Sequence, residues 1–197
     1  MKKILLFLAL GFGAVQMSNA QSSEKLGGIG IRGGASLYTL GGDDGSNADY
    51  TNRVGFHAGV YATLFMNNWV AVEPGVYYSV KGTKNNDIVN SRAIFNYIEV
   101  PVLFRLYPLG GLNVFAGPQL SFLKNSKFEG DVFGSTVTFN PDSVKDTDFG
   151  VVFGLGYNLS KGLNVQGSYD FGLTPVFKNS DADVYIRGIK LSLGYTF

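Results

Sequence analysis

Over residues 188–197 apolar and polar side chains alternate strictly. Ile189, Leu191, Leu193, Tyr195 and Phe197 share one parity, and Gly188, Lys190, Ser192, Gly194 and Thr196 share the other. A repeat of two belongs to an extended strand, which sends successive side chains to opposite faces, so this segment reads as a strand with one greasy face and one wet face. The same alternation recurs upstream over residues 29–39, 54–65, 70–81, 94–107, 112–123, 148–158 and 163–174. Each run has roughly ten residues or more, about what a tilted strand needs to cross the hydrocarbon core of a bilayer. Strands of soluble proteins cluster near about five or six.

The connections sort themselves by length. Polar stretches at 41–52, 82–93, 124–147 and 178–183 alternate with tight turns at 66–68, 108–111 and 160–162. Membrane barrels have long loops on the outer side and short turns on the periplasmic side, whereas a soluble sandwich has no reason to sort its loops this way. The expected fold is therefore all-β, an eight-stranded antiparallel up-and-down transmembrane β-barrel with its apolar faces toward lipid. Closure removes the edges that a long sheet would expose in a membrane. Pro74 takes one ladder donor from the third run and is the one local objection to a strand there, tolerable at a bulge. Residues 132–139, inside the longest loop, are themselves strand-like and read as a hairpin extension above the membrane, with extra strands as the alternative.

Residues 1–20 open on Met1, Lys2 and Lys3, continue through a short apolar core, and end on Ser18, Asn19 and Ala20. That pattern predicts a secretory signal peptide cut ahead of Gln21, leaving residues 21–197 as one barrel domain in the outer membrane. The 27 glycines, 16 phenylalanines and 11 tyrosines suit tightly packed strands better than helices, in which glycine is costly. A net charge of +1 without a basic run excludes a nucleic-acid partner. With no cysteine, disulfides and thiolate chemistry are excluded as well. Asp43, Asp44 and Asp49, and Asp142, Asp146 and Asp148, could gather calcium, but neither spacing matches an EF-hand loop. They read as solvated loop acids, and neither a metal nor a cofactor is expected.

On this register the inward faces collect Arg32, Lys81, Arg105 and Lys190 against Glu73, Glu99, Asp148 and Asp170. An eight-strand lumen is filled by its own side chains, and charges buried there must be paired. Arg32, Glu73, Glu99, Arg105 and Lys190 are expected to form a polar network that plugs the barrel, with Asp148 and Asp170 facing the same interior. The functional alternative is a narrow solute path lined by those residues. His57, the only histidine, is expected inward near the outer end of the second strand. A lipid hydrolase would need a serine and an orienting acid beside it. Ser36, Ser79, Ser121 and Ser168 also face inward, away from any lipid substrate, so a core histidine and a non-enzymatic protein are the preferred reading. Trp69, Tyr77, Tyr78, Tyr107, Tyr157 and Tyr195 fall near strand ends, where amphipathic rings favour the membrane interface, although Tyr77 points inward.

The final strand, with Leu191, Leu193, Tyr195 and Phe197 at the carboxyl end, resembles the C-terminal assembly signal of bacterial outer-membrane barrels. The segments 97–105, 114–118 and 149–156, ahead of Leu193 to Phe197, resemble the PorT-like small outer-membrane barrels of Gram-negative bacteria. That resemblance implies an eight-stranded barrel inserted by the outer-membrane barrel assembly machinery, with no transferable activity. The function expected is structural, or interaction through the long outer loops, with outer-membrane lipid, the assembly machinery and an extracellular or export-complex protein as partners. A small pore or export accessory is the first alternative, and a soluble lipocalin-like ligand-binding barrel the second.

Overall fold

The computed structural model describes residues 27–42, 51–85, 91–132, 135–139, 145–176 and 184–197. Residues 1–26 and parts of the predicted outer loops, Asp43, Asp44, Asp49 and Asp142 among them, lie outside that set. The strands are β1 (Gly28–Gly42), β2 (Thr51–Phe65), β3 (Val70–Asn85), β4 (Ser91–Leu109), β5 (Leu112–Val132), β6 (Ser135–Phe139), β7 (Thr147–Asn158), β8 (Leu163–Gly172) and β9 (Val184–Thr196). Each pairs antiparallel with its sequence neighbour where a hairpin joins them. β1 also pairs with β9, and β5 pairs with β7, so eight strands close into an antiparallel barrel. β6 pairs only with the outer end of β5, with Val132 opposite Ser135 and Phe128 opposite Phe139. Residues 135–139 thus form a hairpin extension with the outer end of β5 and add no strand to the ring.

Local chemistry sets the three tight turns. Between β2 and β3 the side chain of Asn67 accepts hydrogen bonds from the backbone N–H groups of Trp69 and Val70, at 2.8 and 2.9 Å, an Asx turn that reverses the chain. Gly110 reverses β4 into β5 at φ 46°, a left-handed conformation that glycine adopts without steric cost. A single 3₁₀ turn, Ser160–Gly162, joins β7 to β8 with Lys161 at φ 60° and Gly162 at φ 85°.

The faces are oriented as a membrane requires. Leu191, Leu193 and Phe153 are 64%, 59% and 49% exposed, whereas Glu99 and Arg105 are 0% and 2% exposed. No soluble barrel could leave Val54, Phe56, Phe104, Leu155 and Ile189 uncovered in this way, because contiguous apolar surface of that extent is unstable in water. The outward faces of these strands are the lipid surface.

Several details depart from the expected register. Pro74 sits opposite Val102 without a bulge, and the β3–β4 register is the same on either side of it. The missing N–H breaks one ladder bond but does not displace the strand. The irregularities fall elsewhere, at the outer ends of β2 (between Asn52 and His57) and of β4 (between Asn96 and Tyr97), and next to the Leu109–Leu112 turn. β3, β4 and β5 continue well into stretches expected to be loops, since backbone pairing persists above the bilayer whatever the side chains. Tyr107 is buried, its ring centroid 5.1 Å from that of Phe65, and closes the inner end of the lumen. Trp69, Tyr78, Tyr157 and Tyr195 are exposed.

Candidate functional site

Two ion clusters fill the lumen, one above the other. The inner cluster is built on Glu73 of β3. Arg32 Nη1 donates to Glu73 Oε1 at 2.6 Å, and Arg105 Nη2 donates to the same oxygen at 2.7 Å. Thr63 donates to Oε2 at 3.1 Å. Further guanidinium donors find neutral acceptors: Arg32 Nη2 reaches Asn164 Oδ1 at 3.2 Å and Arg32 Nη1 reaches the Tyr77 hydroxyl at 3.1 Å, while Arg105 Nε is buried without a hydrogen-bond partner among the described residues. Arg105 reaches Asn113 Oδ1 and Gln166 Oε1, both at 2.6 Å. Each guanidinium also stacks on a ring, Arg32 over Tyr61 at 3.9 Å and Arg105 over Phe115 at 4.3 Å. A carboxylate shared by two guanidiniums, with amides closing most of the remaining bonds, meets the main condition for tolerating buried charge.

Arg32 has glycine on both flanking strands. Arg32 lies in register between Gly59 of β2 and Gly194 of β9, so its guanidinium can lie across the barrel wall. A Cβ at Gly59 would run into the backbone of Val76 and Tyr77.

The outer cluster is built on Glu99 of β4. Lys81 Nζ is 2.7 Å from Glu99 Oε1, and Lys190 Nζ is 2.7 Å from Glu99 Oε2. Lys190 also lies 2.7 Å from Asp170 Oδ2, the atom to which the Tyr38 hydroxyl donates at 2.6 Å. Asp148 lies at the outer end of the lumen, opposite Ser121 in register and 9% exposed. Above it, Tyr38, Phe95, Tyr97, Val176 and Ile186 make an apolar cluster inside the barrel mouth. Val176 comes from the segment after β8 and is held by backbone bonds from Val176 N–H to the Val184 carbonyl and from Lys145 N–H to the Val176 carbonyl, both 2.8 Å.

His57 lies between the two clusters and not near the outer end of β2. Its Nε2 is 2.8 Å from Ser192 Oγ, while Nδ1 has no hydrogen-bond partner among the described residues. A Ser–His pair resembles part of a triad, but the orienting acid on Nδ1 that the triad needs is not among those contacts. The adjoining cavity, lined by Arg32, His57, Tyr77, Gln119, Lys190 and Ser192 among others, measures about 30 Å³. That is room for water and not for a lipid.

All nine charged and histidine positions picked from the alternation, Arg32, His57, Glu73, Lys81, Glu99, Arg105, Asp148, Asp170 and Lys190, are buried. The five proposed to form one network divide between the two clusters. Sequence reasoning passed over the neutral partners Tyr38, Thr63, Asn113, Asn164 and Gln166. Parity placed them inside, but nothing in a one-dimensional pattern shows which of them meets which charge. Leu191, Leu193, Tyr195 and Phe197 lie on the outward face of β9 or at its end.

Known barrels share this architecture. Neisserial surface protein A is 14% identical with a TM-score of 0.58, the match covering 88% of this chain and 100% of that one. Ail, the attachment invasion locus protein of Yersinia pestis, is 16% identical with a TM-score of 0.54 over the same shares. In its complex with the heparin analogue sucrose octasulfate, Ail is 19% identical with a TM-score of 0.53. At these identities the likeness concerns the fold. No curated protein sequence is significantly similar. The family model described as "Outer membrane protein beta-barrel domain" matches residues 19–178. With that match over most of its length and lipid-facing strands around a charged interior, the chain belongs to the outer membrane protein beta-barrel domain family and resides in the outer membrane.

Proposed function

We propose that this protein is a non-enzymatic, non-conducting barrel that serves as a rigid mount for its outer loops, through which it contacts an extracellular or export-complex protein. The observation that carries this reading is the buried ion-pair network that fills the lumen, Glu73 with Arg32 and Arg105, and Glu99 with Lys81 and Lys190. Glu73–Arg105 and Glu99–Lys81 staple the adjacent strands β3 and β4, Glu73–Arg32 reaches past β2 to β1, and Glu99–Lys190 crosses the lumen from β4 to β9 on the opposite side of the ring. Opening a continuous water path would separate buried opposite charges, which is strongly unfavourable. Loops on a rigid scaffold are where such proteins carry recognition.

The strand ending in Leu191, Leu193, Tyr195 and Phe197 is proposed as the segment read by the barrel assembly machinery after removal of residues 1–20. Narrower kinship with PorT-like barrels rests on the segments 97–105 and 114–118 and carries no activity with it. Planar-bilayer recording of the purified protein tests the reading: the expected result is no steady conductance, and stable open channels overturn it in favour of the pore.

A further inference from the structure

From its inner end, the outward face of β9 and the residue after it reads Phe197, Tyr195, Leu193, Leu191 and Ile189, all exposed and apolar. The next outward residue is Arg187. It is half-buried and flanked in register by Thr39 of β1 and Phe171 of β8. Its guanidinium lies 4.5 Å from the ring centroid of Phe171 and 5.9 Å from that of Tyr185. Its Nε is buried without a hydrogen-bond partner among the described residues.

The height of this cation follows from strand geometry. A strand rises about 3.4 Å per residue, and a tilt of about 40° reduces that to roughly 2.5 Å along the membrane normal. Phe197 and Arg187 are ten residues apart, which places the guanidinium roughly 25 Å above the chain end, the height of the apolar band of such barrels. Arg187 therefore stands where acyl chains give way to headgroups on the outer side. Lys124 and Lys127 of β5 are also exposed at the outer end, where Asp146, just before β7, is the exposed acid among the described residues.

A guanidinium held over a ring leaves N–H donors free for a fork-shaped contact, which matches phosphate. Left unpaired at the boundary of hydrocarbon, that charge is expensive. We propose that Arg187, seated on Phe171 beside Tyr185, binds the phosphate of an anionic lipid headgroup in the outer leaflet. A lipid is favoured over a soluble anion because the apolar stripe Ile189, Leu191 and Leu193 runs directly beneath the cation. One molecule can lay its acyl chain on the stripe and its phosphate on the guanidinium. The proposal needs the outer-membrane location but is independent of whether the lumen conducts.

Native mass spectrometry of the full chain in neutral detergent tests it. Lipid A and a phosphate-free lipid with the same acyl chains serve as probes, and heat-dependent gel mobility serves as the check on folding. Wild type is expected to retain lipid A about tenfold more than Arg187→Gln, the equivalent of losing one charge-assisted contact. Both proteins should hold the phosphate-free lipid equally weakly. If Arg187→Gln fails to fold, Arg187→Lys carries the comparison, since it keeps the charge but loses the fork, and a several-fold reduction supports the site. Equal retention of lipid A by wild type and the folded variant overturns it. So does wild-type retention of the phosphate-free lipid at the level of lipid A, or complete displacement of lipid A by inorganic phosphate.

Discussion

Glu73 accepts from two guanidiniums at a single oxygen, which makes it the residue on which the inner half of the lumen depends. Glu73→Ala would leave Arg32 and Arg105 buried and facing each other without a counter-charge. A loss of about 3–5 kcal/mol is expected, measured as a shift of the urea unfolding transition of protein folded into lipid vesicles. A change below about 1 kcal/mol would mean that water already screens the pair. Tyr38→Phe removes one neutral donor from Asp170, which keeps Lys190, so a smaller loss of about 1–2 kcal/mol is expected in the same measurement. At this scale the alternation of the chain was enough to place every one of these charges inside. It could not pair them, because Arg32 and Asn164 are brought together only by closure of the ring.

For a strand, the informative quantity is which face meets lipid. Leu191, near the middle of the outward stripe of β9, is 64% exposed. Leu191→Arg should cost about 2–4 kcal/mol of folding stability in vesicles, while Phe197→Arg at the inner boundary should cost about 0–1 kcal/mol. Equal costs at both depths would contradict the assigned orientation. The seam between β1 and β9 is equally specific. A Cβ at Gly34 would collide with the backbone of Leu191 and Ser192, so Gly34→Val should force the two strands apart and reduce the fraction that shows the heat-sensitive folded band. Strand number and facing were legible from period and turn chemistry. The unbulged passage through Pro74 was not, because whether a missing donor disturbs a ladder depends on both neighbouring strands.

For the whole molecule, the clusters and the apolar cap formed by Tyr38, Phe95, Tyr97, Val176 and Ile186 make the barrel a solid body. Because its ion pairs are buried, added salt screens them little. The urea midpoint in vesicles should therefore shift by no more than the equivalent of about 0.5 kcal/mol between low and high sodium chloride, and a large drop with salt would place the stabilising charges at the surface. The cap was invisible in the one-dimensional pattern, since Val176 enters it from a segment with no alternation of its own. By itself the sequence determined that the chain is β, that its greasy faces share one parity, and that acids and bases face inward in equal number, because a period of two depends on backbone geometry alone. Only the tertiary structure decided that the interior splits into two bridged layers, that His57 lies between them, and that Arg187 stands at the outer edge of the lipid surface. Those facts depend on the register in which the strands meet around the ring, and register is a relation between segments that no single segment carries.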